Sequence, residues 1–455
     1  MILPGEEALQ QVLDAYRRGE YASAVQMAER VLLRQPDRVD FLVLLGGCYR
    51  KLGRVELAIR HYGRALCLEP GQAVIYNNLG NAWRDLEHFA AAIAHYKMAI
   101  ELDGAFHVAM NNLAETLREQ NQLEEAEYYG HQALALCPDF ATAHWDMAMV
   151  YLGKGDYVRG FQAYEWRLRY RDDLVSKRDK PYWQGEDLQG RTLLLVTEQG
   201  FGDTIQFIRF LPLLLAKGIR VILEVQAPLK PLFLANNWPV TVRVRGEEIP
   251  PFDVWCSLLS LGLLLQINEQ KIRMQHAYLR ADAERVQRWR CRLPPTDKPR
   301  VGVVWAGSPT FKRDRWRSPR LASMLPILRV PGIQFIGLQV GDGRRDLQAV
   351  SPEGDFYDLG GEVQDFADTA ALLQQLDLLI CSDTAPAHLA GALDIPCWVL
   401  LPWAADWRWM MGTRQTIWYN SLTLYRQHRF GDWCEAVSEL AQALHLWQQQ
   451  WQKSA

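Results

Sequence analysis

Four basic residues stand close together in one loop and could bind phosphate groups. The loop follows a strand predicted over residues 300–305. In chain order the four are Lys312, Arg313, Arg315 and Arg317. Guanidinium groups bind phosphate oxygens through paired hydrogen bonds, and a lysine adds a point charge. We expect Lys312 and Arg317 to contact a diphosphate, with Ser308 as a further donor; the alternative is a solvated basic loop.

A glycine-rich turn lies between a predicted strand and a predicted helix further towards the amino terminus. The strand is the apolar run 191–197, typical of a buried parallel strand. Gly200, Gly202 and Asp203 follow it. Such a turn brings backbone N–H groups to a ligand at the carboxyl edge of the sheet. The dinucleotide-binding fingerprint needs a third glycine, and Asp203 and Thr204 stand there instead, so a nicotinamide site is disfavoured.

A third candidate segment runs from Ser382 to Ala392. Ser382 or Asp383 can cap a helix whose first-turn amides would face a phosphate. Because a carboxylate repels phosphate, Asp383 is better suited to capping or to a sugar hydroxyl. Thr384 and His388 lie four residues apart and share a helix face. His388 would bind a phosphate oxygen or a sugar; a core histidine is an equally weighted alternative.

Strands alternating with helices predict two α/β units in the second half of the chain. Besides 191–197, apolar runs predict strands at residues 221–225, 300–305, 333–338, 378–381 and 396–401. Two Rossmann-like units in succession imply a cleft between two lobes. A helix is predicted over residues 432–453.

The first part of the chain repeats with a period of 34 residues. One column of small residues comprises Ala24, Ala58, Ala92, Ala126 and Gly160. A helix–turn–helix unit of this length with small residues in fixed columns resembles the tetratricopeptide repeat. Small residues let the paired helices approach closely, and five such units fit the stretch from Gly5 to Leu174.

Two polar columns would face the concave groove that such repeats form. Asn78 and Asn112 each offer a donor and an acceptor, which suits the backbone of an extended peptide. A solvated helix face is an equally weighted alternative. The arginine column of Arg50, Arg84 and Arg118 is better interpreted as solvated. A protein or peptide partner is therefore expected at the asparagines.

Composition excludes several classes of function. The 455 residues include 50 Lys plus Arg and 53 Asp plus Glu, for a net charge of −3. This balance gives no footprint for binding a nucleic-acid polymer. Eight cysteines without a C-x-x-C pair argue against a zinc or disulfide scaffold and favour a reducing, cytoplasmic compartment. The longest apolar run, residues 258–265, is too short to span a bilayer.

Two motifs resemble the heptosyltransferase family of GT-B glycosyltransferases. They are Gly200-Phe-Gly-Asp-Thr204 and Ser382-Asp-Thr-Ala-Pro-Ala-His-Leu-Ala390. Repeats ahead of a GT-B half also give a distant similarity to protein O-GlcNAc transferases. The resemblance implies an α-helical repeat array followed by an α/β GT-B fold of two Rossmann-like lobes, the first one short. The expected divisions are repeats over 1–174, a connector over 175–190, an acceptor-side lobe over 191–298, and a donor-side lobe over 299–455 with a helix returning to the first lobe.

The resemblance also implies inverting transfer of a sugar from a nucleotide-sugar donor, with Asp203 as the base that deprotonates the acceptor. The alternative role of Asp203 is to cap a helix that begins at Thr204. The expected donor-binding residues are Gly202, Ser308, Lys312, Arg317, Asp383, Thr384 and His388. Asp365 lies in a segment that resembles the loop holding the ribose and base, and its alternative role is a helix cap. The chain has no Asp-x-Asp, so neither a metal nor another cofactor is expected.

Three function classes follow. The leading hypothesis is a glycosyltransferase of hexosyl or heptosyl type whose acceptor, a protein, a peptide or a surface glycan, is guided by the repeats. The main alternative is a non-catalytic repeat scaffold with a degenerate transferase domain, favoured by the short first lobe and opposed by Asp203 and His388. A nucleotide-sugar epimerase shares the two-lobed fold but has no evident use for repeats.

Overall fold

The computed structural model describes residues 5–170, 178–198, 200–273, 277–311 and 313–454. The chain divides into two compact units, Met1–Val150 and Tyr151–Ala455. Its elements form an α-helical repeat array followed by a parallel-sheet α/β region, which confirms the predicted fold class.

The helices of the repeat series come in pairs, and their starting points recur every 34 residues. The first helices of the pairs are α1 (Gly5–Arg17), α3 (Val39–Lys51), α5 (Ala73–Asp85), α7 (His107–Glu119) and α9 (Ala141–Gly153). The second helices are α2 (Tyr21–Leu32), α4 (Val55–Leu68), α6 (Phe89–Leu102) and α8 (Leu123–Leu136). The constant interval confirms the tetratricopeptide period.

Small residues let the two helices of a pair touch. A β-carbon at Gly46 would lie 2.5 Å from a ring atom of Tyr62, and one at Gly80 would lie 2.5 Å from a ring atom of Tyr96. Both tyrosines are buried. The alanine column at Ala24, Ala58, Ala92 and Ala126 is also fully buried. The repeat pattern in the sequence therefore records helix packing.

Two further helices pack with the α/β region and belong to the second unit. They are α10 (Tyr157–Tyr164) and α11 (Arg167–Tyr170). The ring of Phe161 lies 6.0 Å from that of Phe207 and 6.2 Å from that of Trp407. Because α10 buries this aromatic side chain within the second unit, the division at residues 150 and 151 comes earlier than the predicted end of the repeats at residue 174.

The first lobe of the second unit is built on a four-stranded parallel sheet. Its strands, in the order β3-β2-β1-β4, comprise β1 (Thr192–Val196), β2 (Arg220–Val225), β3 (Thr241–Val244) and β4 (Val254–Ser257). Its helices are α12 (Phe201–Phe207), α13 (Leu211–Ala216), α14 (Lys230–Leu234), α15 (Leu261–Leu264) and α16 (Glu269–Arg273). β1 lies in the centre of the sheet, which accounts for its uninterrupted run of apolar residues.

The second lobe carries a six-stranded parallel sheet. The strands, in the order β10-β9-β8-β5-β6-β7, comprise β5 (Arg300–Val304), β6 (Gln334–Gly337), β7 (Phe356–Asp358), β8 (Leu378–Ser382), β9 (Cys397–Leu401) and β10 (Leu422–Arg426). The accompanying helices are α17 (Ala283–Arg292), α18 (Asp314–Arg317), α19 (Arg320–Leu328), α20 (Asp346–Ala349), α21 (Phe366–Leu373), α22 (Ala385–Ala392) and α23 (Cys434–Ser454). All six strands predicted from apolar runs in the two lobes are present.

The last helix, α23, was expected to return to the first lobe, but it packs on the second. Its buried residues Val437, Leu440 and Leu444 join the core formed by β5, β6 and α19. An apolar stripe on a long helix is stabilised by the nearest apolar face that remains uncovered. Here that face is supplied by α19 and β10.

Candidate active site

The glycine-rich turn of the first lobe touches the start of α22 in the second lobe. Helices α12 and α22 pack directly against each other. A β-carbon at Gly202 would lie 2.7 Å from His388 Cδ2 and 3.7 Å from the Cα atom of Ala385. Glycine is therefore needed for this approach. The two motifs that resemble heptosyltransferases, which are far apart in sequence, meet at this contact.

Asp203 lies inside the first turn of α12, because the helix begins at Phe201. The alternative of a cap on a helix starting at Thr204 is therefore wrong. Asp203 is half-buried, and its Oδ1 accepts a hydrogen bond of 2.7 Å from Arg408 Nη2. Burial raises the pKa of the Asp203 carboxyl above the usual range of aspartate, and Arg408 acts in the opposite direction.

Arg408 connects the two lobes. Its buried guanidinium donates to Asp203 of the first lobe and, over 2.8 Å, to Asp406 Oδ1 of the second. Its Nε also donates to the side-chain oxygen of Gln206, on α12. No pattern in the sequence singled out Arg408. The structure adds the arginine as the ionic partner of the candidate base.

His388 is buried, and its ring lies between aromatic side chains. It stacks on Trp409 with 5.0 Å between ring centroids, and its Nδ1 lies 2.9 Å from the Tyr419 hydroxyl. Burial, together with the charges of nearby arginines that include Arg408, holds the pKa of His388 well below its usual range. At neutral pH the ring is uncharged, so it can take part in hydrogen bonds but supplies no positive charge.

Asp383 and Thr384 precede α22. Thr384 is the N-cap residue of α22, but its hydroxyl donates to the carbonyl of Ser382 and not to the helix. Burial raises the pKa of Asp383 to about 6; Asp406 adds to the rise and Arg317 opposes it. Because the Thr384 hydroxyl does not bond to the helix, the first turn of α22 has no side-chain cap. The positive end of α22 is thus available to a ligand.

The basic loop contributes Arg317 to the same region. Arg317 Nε donates to Asp314 Oδ1 over 3.2 Å, and the guanidinium lies over the ring of Phe311 at 4.3 Å. Ser308 lies in the exposed part of the loop, where its hydroxyl is 2.8 Å from that of Thr310. Lys312 lies outside the described residues. The positive charge of Arg317 lowers the pKa of both Asp383 and His388, so its charge acts on the region around the start of α22.

Asp365 serves as a helix cap. Its Oδ1 accepts the backbone N–H groups of Ala367 and Asp368, over 2.8 and 3.0 Å, at the start of α21. Arg285 of α17 donates to the same oxygen over 2.7 Å. Asp368 accepts in return from the backbone N–H of Gln364, so the segment forms a reciprocal capping arrangement. These contacts give the carboxylates of Asp365 and Asp368 their hydrogen-bond partners, so neither needs a ribose hydroxyl as a partner.

The asparagine column of the first unit is partly engaged between repeats. Asn112 Nδ2 donates to Asn77 Oδ1 over 2.8 Å, and Asn111 Nδ2 donates to Asp146 Oδ2 over 3.0 Å. Burial raises the pKa of Asp146 to about 7. Asn78 is half-buried on α5. A contact of Asn78 and Asn112 with a peptide stays a prediction.

The arginine column also links neighbouring repeats. Arg50 Nε pairs with Asp85 at 2.7 Å, and Arg84 Nη1 pairs with Glu115 at 2.5 Å. Arg50 and Arg84 therefore pair with carboxylates of the array itself, whereas the sequence predicted that they would be solvated.

Two negative findings hold for the part of the chain that the structure describes. Its His, Cys, Asp and Glu side chains form no group of three that could hold a metal ion. Nor does any of its helices combine the length and the apolar character that a membrane crossing requires.

Comparison with known proteins locates two kinds of domain. Residues 9–73, 73–106 and 108–137 match tetratricopeptide repeats. Residues 264–400 match glycosyltransferase family 9 (heptosyltransferase). The latter segment contains Arg317, Asp383 and His388, whereas Asp203 precedes it.

One curated relative and several solved structures are similar to parts of the chain. Protein FlbA of Caulobacter vibrioides is 28% identical over 337 residues, which cover 67% of this chain and 55% of FlbA. The chain thus spans about half the length of that relative. MamA is 21% identical over 37% of this chain and 95% of its own, with a TM-score of 0.32. A thermophilic tetratricopeptide-repeat protein of Thermus thermophilus is also 21% identical, over 36% of this chain and 96% of its own, with a TM-score of 0.33.

The repeats match the paired helices of the first unit, and the transferase match covers the part of the second lobe that carries Arg317, Asp383 and His388. The chain therefore combines tetratricopeptide repeats with a domain that matches glycosyltransferase family 9 (heptosyltransferase).

Proposed function

We propose that the protein is an inverting, metal-independent glycosyltransferase that uses a nucleotide-sugar donor. The observation that carries the proposal is the contact of α12 with α22, which brings Gly202, the residue before Asp203, beside His388. In the proposed reaction, Asp203 takes the proton of the acceptor hydroxyl while the acceptor oxygen bonds to the anomeric carbon. The bond from that carbon to the diphosphate breaks on the opposite face.

The leaving diphosphate needs positive charge, and we assign that role to Arg317 and the amino end of α22. Helix ends and guanidinium groups stabilise phosphate charge without a metal ion. His388, which is neutral, would contribute a hydrogen bond and not charge. Within the same proposal, Gly202, Ser308, Lys312, Asp383 and Thr384 surround the donor. Asp365 is left out because its capping bonds account for it.

Arg408 explains how a half-buried aspartate can act as a base. Burial favours the protonated carboxyl, which could not accept a proton. The ionic contact with Arg408 favours the carboxylate and orients it. The arginine thus keeps Asp203 in the form that the reaction requires.

The first prediction concerns donor binding. Arg317→Met should weaken the binding of a nucleoside diphosphate by about 10- to 100-fold, since a hydrogen bond to a charged group contributes about 1.5–3 kcal/mol. Calorimetric titration of the full chain with several nucleoside diphosphates measures it. Arg315→Met, in the same loop but exposed, is the matched control. If no nucleotide binds to the unaltered protein, the non-catalytic scaffold becomes the better proposal.

The acceptor is proposed to be a protein or peptide held by the repeats, with a surface glycan as the alternative. Asn78→Ala should weaken capture of a selected peptide several-fold, because the backbone of the peptide would lose a paired donor and acceptor. Asn78 is the cleaner site, since Asn112→Ala also breaks the bond to Asn77. Gln132→Ala, on the second helix α8, is the control. Equal affinity of all variants for peptide would favour the glycan.

We place the reaction in the cytoplasm, where the eight cysteines stay reduced.

A further inference from the structure

Arg167, on the short helix α11, is among the most deeply buried charged residues of the second unit. Its side chain is 1% exposed. Nε and Nη2 donate to Glu198 Oε1 over 2.9 and 2.6 Å, and Nη1 donates to Glu165 Oε1 over 2.6 Å. A buried guanidinium costs several kcal/mol in lost hydration unless its donors and its charge are matched. Here both are matched, and the main partner is Glu198.

Glu198 lies two residues after the end of β1, where the glycine-rich turn begins. It is buried and also accepts a hydrogen bond from the hydroxyl of Ser257, at the end of β4. The backbone carbonyl of Glu198 accepts from Gln226 Nε2 over 2.6 Å. The start of the turn is thus held by α11 and by two parts of the first lobe, the end of β4 and the residue after β2.

The rest of the turn is anchored at its far end. The Thr204 hydroxyl donates to the Gly200 carbonyl over 3.0 Å and lies 3.3 Å from Gln226 Oε1. Asp203 lies between these anchors. Its position is therefore set by Glu198 on one side and by α12 on the other.

The cluster around Arg167 extends to residues that do not touch Glu198. Ser260 Oγ accepts from Arg167 over 2.9 Å and donates to Glu165 Oε2 over 2.8 Å. The hydroxyl of Tyr182 donates to Ser260 over 2.7 Å. The Tyr182 hydroxyl also accepts from the backbone N–H of Ser257 over 3.4 Å, but it has no bond to Glu198 itself. Tyr182 thus offers a way to disturb the same network without removing a direct partner of Glu198.

We propose that Arg167 is a positioning residue for the transfer reaction: by holding Glu198, it fixes the glycine-rich turn that presents Asp203 to the acceptor. This inference rests on the proposed function. It also means that the helices following the repeats are structurally joined to the reaction centre, because α11 supplies the side chain that orders the turn.

The charge of Arg167 matters as well as its shape. Removal of the arginine leaves Glu198 as an unpaired negative charge close to Asp203. The charged or titratable groups that act on Asp203 are Arg408 and Asp406 from the second lobe, Glu198 from the turn, Arg167 from α11 and Tyr164 from α10. His388 faces the neighbouring Gly202 from α22. Loss of Arg167 removes a charge that lowers the pKa of Asp203 and leaves Glu198, which raises that pKa, without its ionic partner.

Arg167→Met in the full chain should lower kcat about 10- to 100-fold with a much smaller change in KM for the donor, because all the proposed donor-binding groups except Gly202 lie in the second lobe. The acidic limb of the rate profile should move to higher pH, since an unpaired Glu198 favours the protonated form of Asp203. The double variant Arg167→Met with Glu198→Gln should return the limb towards its original position, because the buried charges are removed together. Tyr182→Phe should leave kcat within about 2-fold and is the control for general loss of packing.

Hydrogen exchange of the amides at residues 200–207 gives a second readout that needs no transfer. It should quicken at least 10-fold in Arg167→Met and much less in Tyr182→Phe. Equal exchange in the two variants, or equal loss of kcat, would overturn the positioning role. If the unaltered protein transfers no sugar from any nucleotide sugar, the proposed function fails, while the exchange result still decides whether Arg167 orders the turn.

Discussion

Asp203→Asn should reduce sugar transfer by about 10²- to 10⁴-fold, the range contributed by a positioned general base. Asparagine has nearly the same shape, and its amide oxygen can still accept from Arg408 Nη2, so the contact between the lobes persists. The substitution removes only the ability to take a proton. We therefore expect kcat to fall while the affinity for nucleoside diphosphate stays within about 3-fold. The measurement is initial-rate kinetics beside calorimetric binding.

Asp406→Asn is the matched control for Asp203→Asn, because Asp406 shares the guanidinium of Arg408. Loss of Asp406 leaves the proposed base in place and removes a negative charge that raises the pKa of Asp203. Its rate at neutral pH should change little. If both substitutions reduce the rate equally, the effect belongs to the ionic cluster as a whole and Asp203 is not the base.

The architecture was predictable because its signals are local in sequence. A continuous apolar run such as Leu193–Val196 forms a central strand wherever two neighbours pair with it. The 34-residue period likewise records contacts within each helix pair, such as Gly46 with Tyr62. The position of α23 was not predictable in this way. An apolar helix stripe indicates burial but does not specify which face covers it.

The site was only partly predictable, because local sequence patterns do not show which distant residues contact each other. The turn at Gly202 and the segment at His388 could be singled out by residue type and spacing. The pairing of Asp203 with Arg408 joins residues 205 positions apart, and no local pattern carries that information. A sequence signal did exist for the contacts between repeats. Asn77 and Asn111 occupy the same position in consecutive repeats, one residue before the predicted column of Asn78 and Asn112.

Hydrogen bonds also distinguish the proposed base from a carboxylate that caps a helix. Asp365 and Asp203 are both acidic residues at the start of a helix, so sequence treats them alike. Asp365 Oδ1 accepts two backbone N–H groups and Arg285, which satisfies it as a cap. Asp203 has Arg408 as its partner and remains partly exposed, so an acceptor hydroxyl can reach it.

Arg408→Met should make transfer depend on a higher pH. The positive charge of Arg408 lowers the pKa of Asp203 against the effect of burial, so its removal raises that pKa further. A base must be deprotonated to act, and the fraction in that form falls tenfold for each pH unit below the pKa. The acidic limb of kcat/KM should therefore move upward by about one pH unit or more, so that the loss is about 10-fold or more on the acidic side of the limb and shrinks as the pH rises above it. Arg408→Lys, which keeps the charge but not the three-way hydrogen bonding, should move the limb less.

Arg414→Met, on an exposed pair with Glu439, is the control, and thermal unfolding of each variant tests whether the fold is retained. A loss of equal size at every pH would mean that Arg408 acts by holding the lobes together and not by keeping Asp203 ionised.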